Sequence, residues 1–220
     1  EAFSNALLKD QYRMEAWTNL ATLYLLSGNS SVAHELFSMA RERDPSDRTA
    51  HAVQALSLIT GADSSGVETL LAEDPTDQYL NYLQGVMLLK NGSCGDAYAA
   101  FQSTLQEDFS FVPAYAGAGR SCLVMAARLD QMQGDGDTSV ERARTVLGPL
   151  VSEILGEGGL LDPEKIGAYQ DRLVLQAKTF YERLGAVLGE GRSNLQIAYG
   201  CLEALAGNGE AATERFREAK

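Results

Sequence analysis

His34 and His51 are the only imidazoles in the 220-residue chain. Acid–base or metal chemistry near neutral pH would have to be built around them. Each falls inside a helical run, a full interhelix segment separates the two, and neither stands at metal-ligand spacing from a cysteine. Cys94, Cys122 and Cys201 are far apart and odd in number, so neither a disulfide framework nor a paired-cysteine metal motif is predicted. Their apolar helical surroundings read as those of small buried thiols. Gly156-Glu157-Gly158-Gly159 lacks the lysine and hydroxyl of a phosphate-cradling loop. The aspartates of the string from Gln131 to Asp137 lack the alternating ligands and closing glutamate of an EF-hand calcium loop. Adjacent acids such as Glu73-Asp74 and Glu107-Asp108 stand near helix ends, where a solvated surface is their ordinary use. The expectation is a chain with no catalytic residue, no cofactor and no metal.

The elements that would position such groups are helices. Apolar residues make up 45% of the chain and charged residues 22%, the profile of a folded protein. The formal charge of −12 disfavours a general nucleic-acid or anionic-membrane surface, since phosphate binding needs clustered Lys and Arg. A basic partner would be steered favourably, although the same charge also serves solubility. No 18-residue apolar run is present, so no membrane insertion is expected. The compartment is not indicated, with the cytoplasm as the default.

From Met14 to Leu26 apolar residues recur at helical spacing, through Trp17, Leu20, Ala21, Tyr24 and Leu25. Ser27-Gly28-Asn29-Ser30 breaks the run. A second run carries Val32, Ala33, Leu36, Phe37 and Ala40 on one side and stops at Asp44-Pro45. Two helices joined by a tight turn form an αα-hairpin, with small residues allowing close approach and large ones filling between. Eight positions in this register (Trp17, Leu20, Ala21, Tyr24, Ala33, Phe37, Ala40 and Pro45) resemble the tetratricopeptide repeat, a two-helix unit of about 34 residues.

The same register returns along the chain. A shortened unit holds His51, Ala55 and Leu58, then Val67 and Leu70 before Pro75. A clearer one holds Tyr82, Leu83, Gly85, Leu88 and Leu89, then Ala97, Phe101 and Thr104, with Phe109 where the proline would stand. A fourth begins near Val112 with Tyr115, Ala118, Gly119 and Cys122. Its second helix, carrying Ala143, Leu147 and Leu150, is displaced by a lengthened helix and loop. Asp162-Pro163-Glu164 starts a long helix that reaches Leu188. The last unit holds Leu195, Tyr199, Gly200 and Leu202, then Ala212, Phe216 and Ala219. Phe3 and Ala6 repeat the end of a second helix, so the chain is expected to start inside an earlier unit and to be a piece of a longer array.

The resemblance implies an all-α fold, a right-handed superhelical solenoid of antiparallel helix pairs. The organisation expected is an array over 1–127, a divergent insertion and long helix over 128–189, and a final unit over 190–220. In this family the first helices of successive units line a concave face. That face would take Thr18, Thr22 and Leu25 from the first unit and Tyr79, Tyr82, Val86 and Lys90 from the third. Ala116, Arg120 and Leu123 would follow from the fourth, and Asn194, Ile197 and Cys201 from the last. The long helix over 163–188 would either leave that groove open or occupy part of it, as a self-packing or regulatory element. One subclass grips a peptide's terminal carboxylate with lysine and asparagine on the first helices. Thr18, Thr22, Tyr82 and Val86 occupy the matching positions here, which argues instead for an extended or helical ligand held by apolar contacts. The function implied is non-catalytic protein or peptide binding, favoured for a basic partner and not for nucleic acid. An accessory module of a larger enzyme or assembly machine, and a self-assembling homo-oligomeric subunit, stand as alternatives.

Overall fold

The computed structural model describes residues 17, 20, 21, 24, 29–44, 69, 71, 72, 74–189 and 192–219. These are helical, with turns, short 3-10 segments and a single antiparallel bridge between Leu155 and Leu161. They divide into two compact units, Glu1–Met87 and Leu88–Lys220. No described helix is long and apolar enough to cross a membrane.

In the first unit Trp17, Leu20, Ala21 and Tyr24 are helical, and α1 spans Ser30–Arg43. Trp17 clusters with Ala40, and Ala21 with Ala33 and Phe37, while Leu36 touches both groups. An early residue of one helix meets a late residue of the next, so the pair runs antiparallel. Ala21, Ala33, Phe37 and Ala40 have no exposure at all, because small residues let the backbones close around the single ring. The Asn29 N–H donates to the Tyr24 carbonyl at 2.9 Å, turning the chain over between the helices. The Arg43 guanidinium sits 4.7 Å from the centre of the Trp17 ring, a cation–π contact at the last turn of α1. Pro45 and the second predicted unit (His51, Ala55, Leu58, Val67 and Leu70) lie outside the described residues.

Helix α2, Gln78–Lys90, begins on Asp77. The N–H groups of Tyr79 and Leu80 donate to Asp77 Oδ1 at 2.8 and 3.0 Å, satisfying donors that a first helical turn leaves open. The boundary between the two units falls within this helix.

The second unit comprises α3 (Cys94–Glu107), α4 (Val112–Gly134), α5 (Val140–Leu147), α6 (Pro163–Leu188), α7 (Ser193–Leu205) and α8 (Gly209–Glu218). Two of its helix pairs close on the same device. A Cβ at Gly117 would come within 2.5 Å of the Phe101 ring, and one at Gly200 within 2.5 Å of Phe216. Glycine is needed at both places so that a flat ring can lie against bare backbone. Between α3 and α4 the turn is built by Asp108, whose Oδ1 accepts from the Ser110 N–H and hydroxyl at 2.8 and 2.6 Å. Those bonds hold the Asp108 carboxyl below the usual carboxylate range. Phe109, in the place of the family proline, turns its ring to solvent, and its carbonyl accepts from the Tyr115 hydroxyl at 2.6 Å.

The long helix α6 starts on an Asp162 cap, with Pro163 at its first turn. It buries Ile166, Tyr169, Leu173, Ala177, Tyr181 and Leu184, steps of three and four that make one apolar face. That face lies antiparallel on α4: Tyr181 covers Gly119, Gln170 donates to Asp130, and Gln133 donates to the Pro163 carbonyl. Helix α5 is short. The Ser139 hydroxyl caps it by accepting from the Arg142 N–H, and the Asp137 carboxylate pairs with Arg142 at 2.6 Å. Gly148, at φ 56°, then breaks the helical period, and Pro149 opens a 3-10 segment, Gly148–Ile154. Ala143 and Leu147 therefore bury as the repeat register requires, whereas Leu150 is only half-buried and Val151 and Ile154 enter the core beyond it.

Candidate functional site

A cavity of about 1150 Å³ opens inside the second unit between α4, the C-terminal half of α6 and α7. Helix α4 presents Val112, Ala116, Arg120, Val124 and Arg128, each one turn beyond the last, with Leu123 and Ala127 filling between them. Helix α7 faces it with Asn194, Ile197 and Cys201, continued by Ala204 and Leu205. The third wall is α6, through Tyr181, Leu184 and Leu188. Phe216 closes one side. Its ring packs on Gly200 as the register predicts, yet it stays 40% exposed, because its outer surface borders the cavity. Ile197 is 47% exposed and Leu188 38%, so three large apolar side chains meet solvent around one opening.

The charge of the lining is one-sided. Arg120, Arg128 and Arg192 border the cavity, and among the described residues no aspartate or glutamate does. Arg192 is engaged, its Nε donating to the Leu188 carbonyl at 3.2 Å, where a cation complements the C-terminal end of α6. Arg120 and Arg128 are exposed, and among the described residues no carboxylate lies within ion-pairing distance of either. Burial pushes the Tyr181 phenol far above its ordinary value, while the Arg120 guanidinium pulls the other way. Burial also raises the Cys94 thiol, opposed by Arg128. Cys122, on the buried face of α4, is pushed up to about 12 by burial. A thiol so protected is inert rather than nucleophilic. All three cysteines are free, and among the described residues no group of three or more His, Cys, Asp or Glu could hold a metal ion.

Of the residues expected on a concave face, Ala116, Arg120 and Leu123 of α4 and Asn194, Ile197 and Cys201 of α7 come together on the cavity wall. Tyr79, Tyr82, Val86 and Lys90 share one face of α2, with Tyr79 and Lys90 exposed and the other two half-buried. None of these four lines the cavity. Thr18, Thr22 and Leu25 lie outside the described residues. The sequence leaves open whether the helix over 163–188 fills the groove; α6 supplies one wall of the cavity through Tyr181, Leu184 and Leu188. Its apolar period identifies a packing face, but Leu188 carries no mark separating a cavity residue from a core residue. Sequence reasoning missed Arg128 and Arg192. Arg128 stands two turns beyond Arg120 on the same face, a signal that the sequence does contain.

Antiparallel helix pairs closed by glycine–phenylalanine contacts give an all-α fold that resembles tetratricopeptide repeat arrays. No family model matches the chain. A 44-residue stretch is 41% identical to tetratricopeptide repeat protein 37 of Xenopus laevis, covering 20% of this chain and 3% of that protein. The fold is similar to that of YrrB, described as a TPR protein with an unusual peptide-binding site, at TM-score 0.53 and 17% identity. That match covers 100% of this chain and 91% of YrrB. It is also similar to a monomeric mutant of IFIT1 with Gppp-AAAA, at TM-score 0.64 and 16% identity, covering 99% of this chain and 44% of that one.

Proposed function

We propose that the chain is a non-catalytic protein-interaction scaffold, and that the cavity between α4, α6 and α7 receives a peptide or helical segment of a partner protein. The observation that carries this reading is the grouping of Ile197, Leu188 and Phe216, all large, apolar and solvent-exposed, around one opening. Side chains of that kind remain wet only at a surface that another molecule covers, or at scattered single positions, and these three are not scattered. The free Arg120 and Arg128 heads at the rim add polar anchoring, the usual arrangement of a protein interface. The likeness to YrrB, a protein described with a peptide-binding site, supports the same reading. The likeness to IFIT1 with a capped oligonucleotide raises a nucleic-acid alternative. A formal charge of −12 and a mostly apolar wall weigh against it. The α2 face of Tyr79, Tyr82, Val86 and Lys90 has no part in this reading, since none of the four lines the cavity.

Selection from a displayed random peptide library on the 220-residue chain tests it. The selected peptides are expected to lose at least about tenfold in affinity for Ile197→Asp, since a charge would enter the apolar patch. The variant should keep its helical circular dichroism, because Ile197 is half-exposed. Peptides that bind the folded variant as tightly as the parent chain would refute the cavity as the docking site.

A further inference from the structure

We infer that the segment this cavity accepts is acidic as well as apolar, the reverse of what the net charge of the chain suggests. The inference rests on the scaffold reading above and specifies the partner's chemistry. The chain carries thirty acidic residues against eighteen basic ones, yet among the described residues the cavity wall holds three arginines and no acid. Long-range steering follows the net charge and is screened within about 8–10 Å at ordinary salt. Recognition at contact follows the groups on the wall, and there the sign is positive.

Arg120 and Arg128 are suited to that role. They stand on one face of α4, two turns apart, roughly 12 Å along the axis. The neighbouring residues on that face, Ala116, Leu123, Val124 and Ala127, are uncharged, so neither guanidinium finds an acid on its own helix face. On α6 and α7 the wall positions opposite are Tyr181, Leu184, Leu188, Asn194, Ile197 and Cys201, again without a carboxylate. The guanidinium is a planar fork of donors, matched to carboxylates and lightly hydrated compared with an ammonium. Two such forks beside an apolar strip fit an amphipathic segment with carboxylates about 12 Å apart. That is about two turns of a helix or about four residues of an extended strand. Arg192 is spent on the α6 terminus and adds positive potential without being the principal fork.

The test is a charge-swap selection. A random 16-residue peptide library is panned separately on the parent 220-residue chain and on the double variant Arg120→Glu/Arg128→Glu. Both side chains are exposed, so the variant is expected to fold, and circular dichroism checks that it does. The expected result is that peptides from the parent chain pair apolar residues with an excess of Asp and Glu. Their affinity should fall on the order of tenfold in the double variant and fall with added salt, while the variant selects Lys and Arg instead. Parent-selected peptides that lack an acid excess, yet still fail on Ile197→Asp, would overturn the acidic preference and leave the docking site standing. Peptides indifferent to Ile197→Asp would overturn both. A labelled random oligonucleotide that binds the parent chain and is lost on Arg120→Gln/Arg128→Gln, with no peptide selected, would replace the acidic peptide with nucleic acid and overturn the inference.

Discussion

The tyrosine face of α2 and the arginine face of α4 are built on the same spacing and end in different circumstances. Tyr79, Tyr82, Val86 and Lys90 follow one another at three- and four-residue steps, and Ala116, Arg120, Val124 and Arg128 at four-residue steps. The α4 face looks into a cavity because α6 and α7 stand across from it. The α2 residues take no part in that cavity. A helix face can be read from a period, whereas a pocket needs walls from elements distant in the chain. The deeper layer of α4 makes the contrast possible: Ala118, Cys122, Met125 and Leu129 are fully buried, so Arg120 and Arg128 on the adjacent face stay exposed.

The largest change should come from removing what holds α4 in place. Phe101 has no exposure and its ring lies against Gly117, so Phe101→Ala should lower stability by about 3–5 kcal/mol in urea titration. A loss near zero would mean that the α3–α4 contact does not set the position of the cavity's main wall. The converse change, Gly117→Ala, forces a methyl into the same ring and should cost about 1–3 kcal/mol.

Alkaline pH should act in the same direction, without any mutation. The Cys122 thiol has an ordinary value of 9.0 and is pushed up to about 12 by burial, and the Tyr169 phenol goes from 10.0 to about 12. Between those limits the unfolded chain has lost protons that the folded chain retains. The unfolding free energy is therefore full below about pH 9 and falls as pH rises toward about 12. Denaturant midpoints at about pH 7.5 and 10.5 measure it, and Cys122→Ala should flatten the slope. A midpoint independent of pH across that window would contradict the buried, protonated thiol.

The smallest effect sharpens the comparison most. Tyr79→Ala should cost about 0.5–1 kcal/mol, less than either core change, since the residue is 38% exposed. It should also leave the affinity of cavity-selected peptides unchanged. A tenfold loss there would transfer the binding role to α2.

Much of this organisation is legible from residue spacing, for physical reasons. Ala33, Phe37 and Ala40, or Ala97, Phe101 and Thr104, must share a face in any α-helix, and all six are fully buried. Proline after an aspartate marks the start of α6, and the apolar period carries it to Leu188. Where a local device interrupts the period, the pattern misleads. Gly148 turns left-handed and hands the burial expected of Leu150 to Val151 and Ile154. Phe109 stands in a proline's place without its function, which Asp108 supplies through side-chain acceptance. The cavity was legible in part: α4 and α7 positions follow from the register, while the α6 wall depends on a long-range antiparallel docking that no local spacing encodes. The sign of its charge is likewise a property of assembled faces, hidden beneath a total of −12.

The central claim is that α4, α6 and α7, and not the α2 face, receive the partner. Amide hydrogen exchange of the 220-residue chain, with and without a saturating selected peptide, tests it most directly. Slowed exchange confined to the second unit, greatest along 112–131 and 194–205, is the predicted result. Protection concentrated on 78–90, with α4 and α7 unchanged, would contradict it.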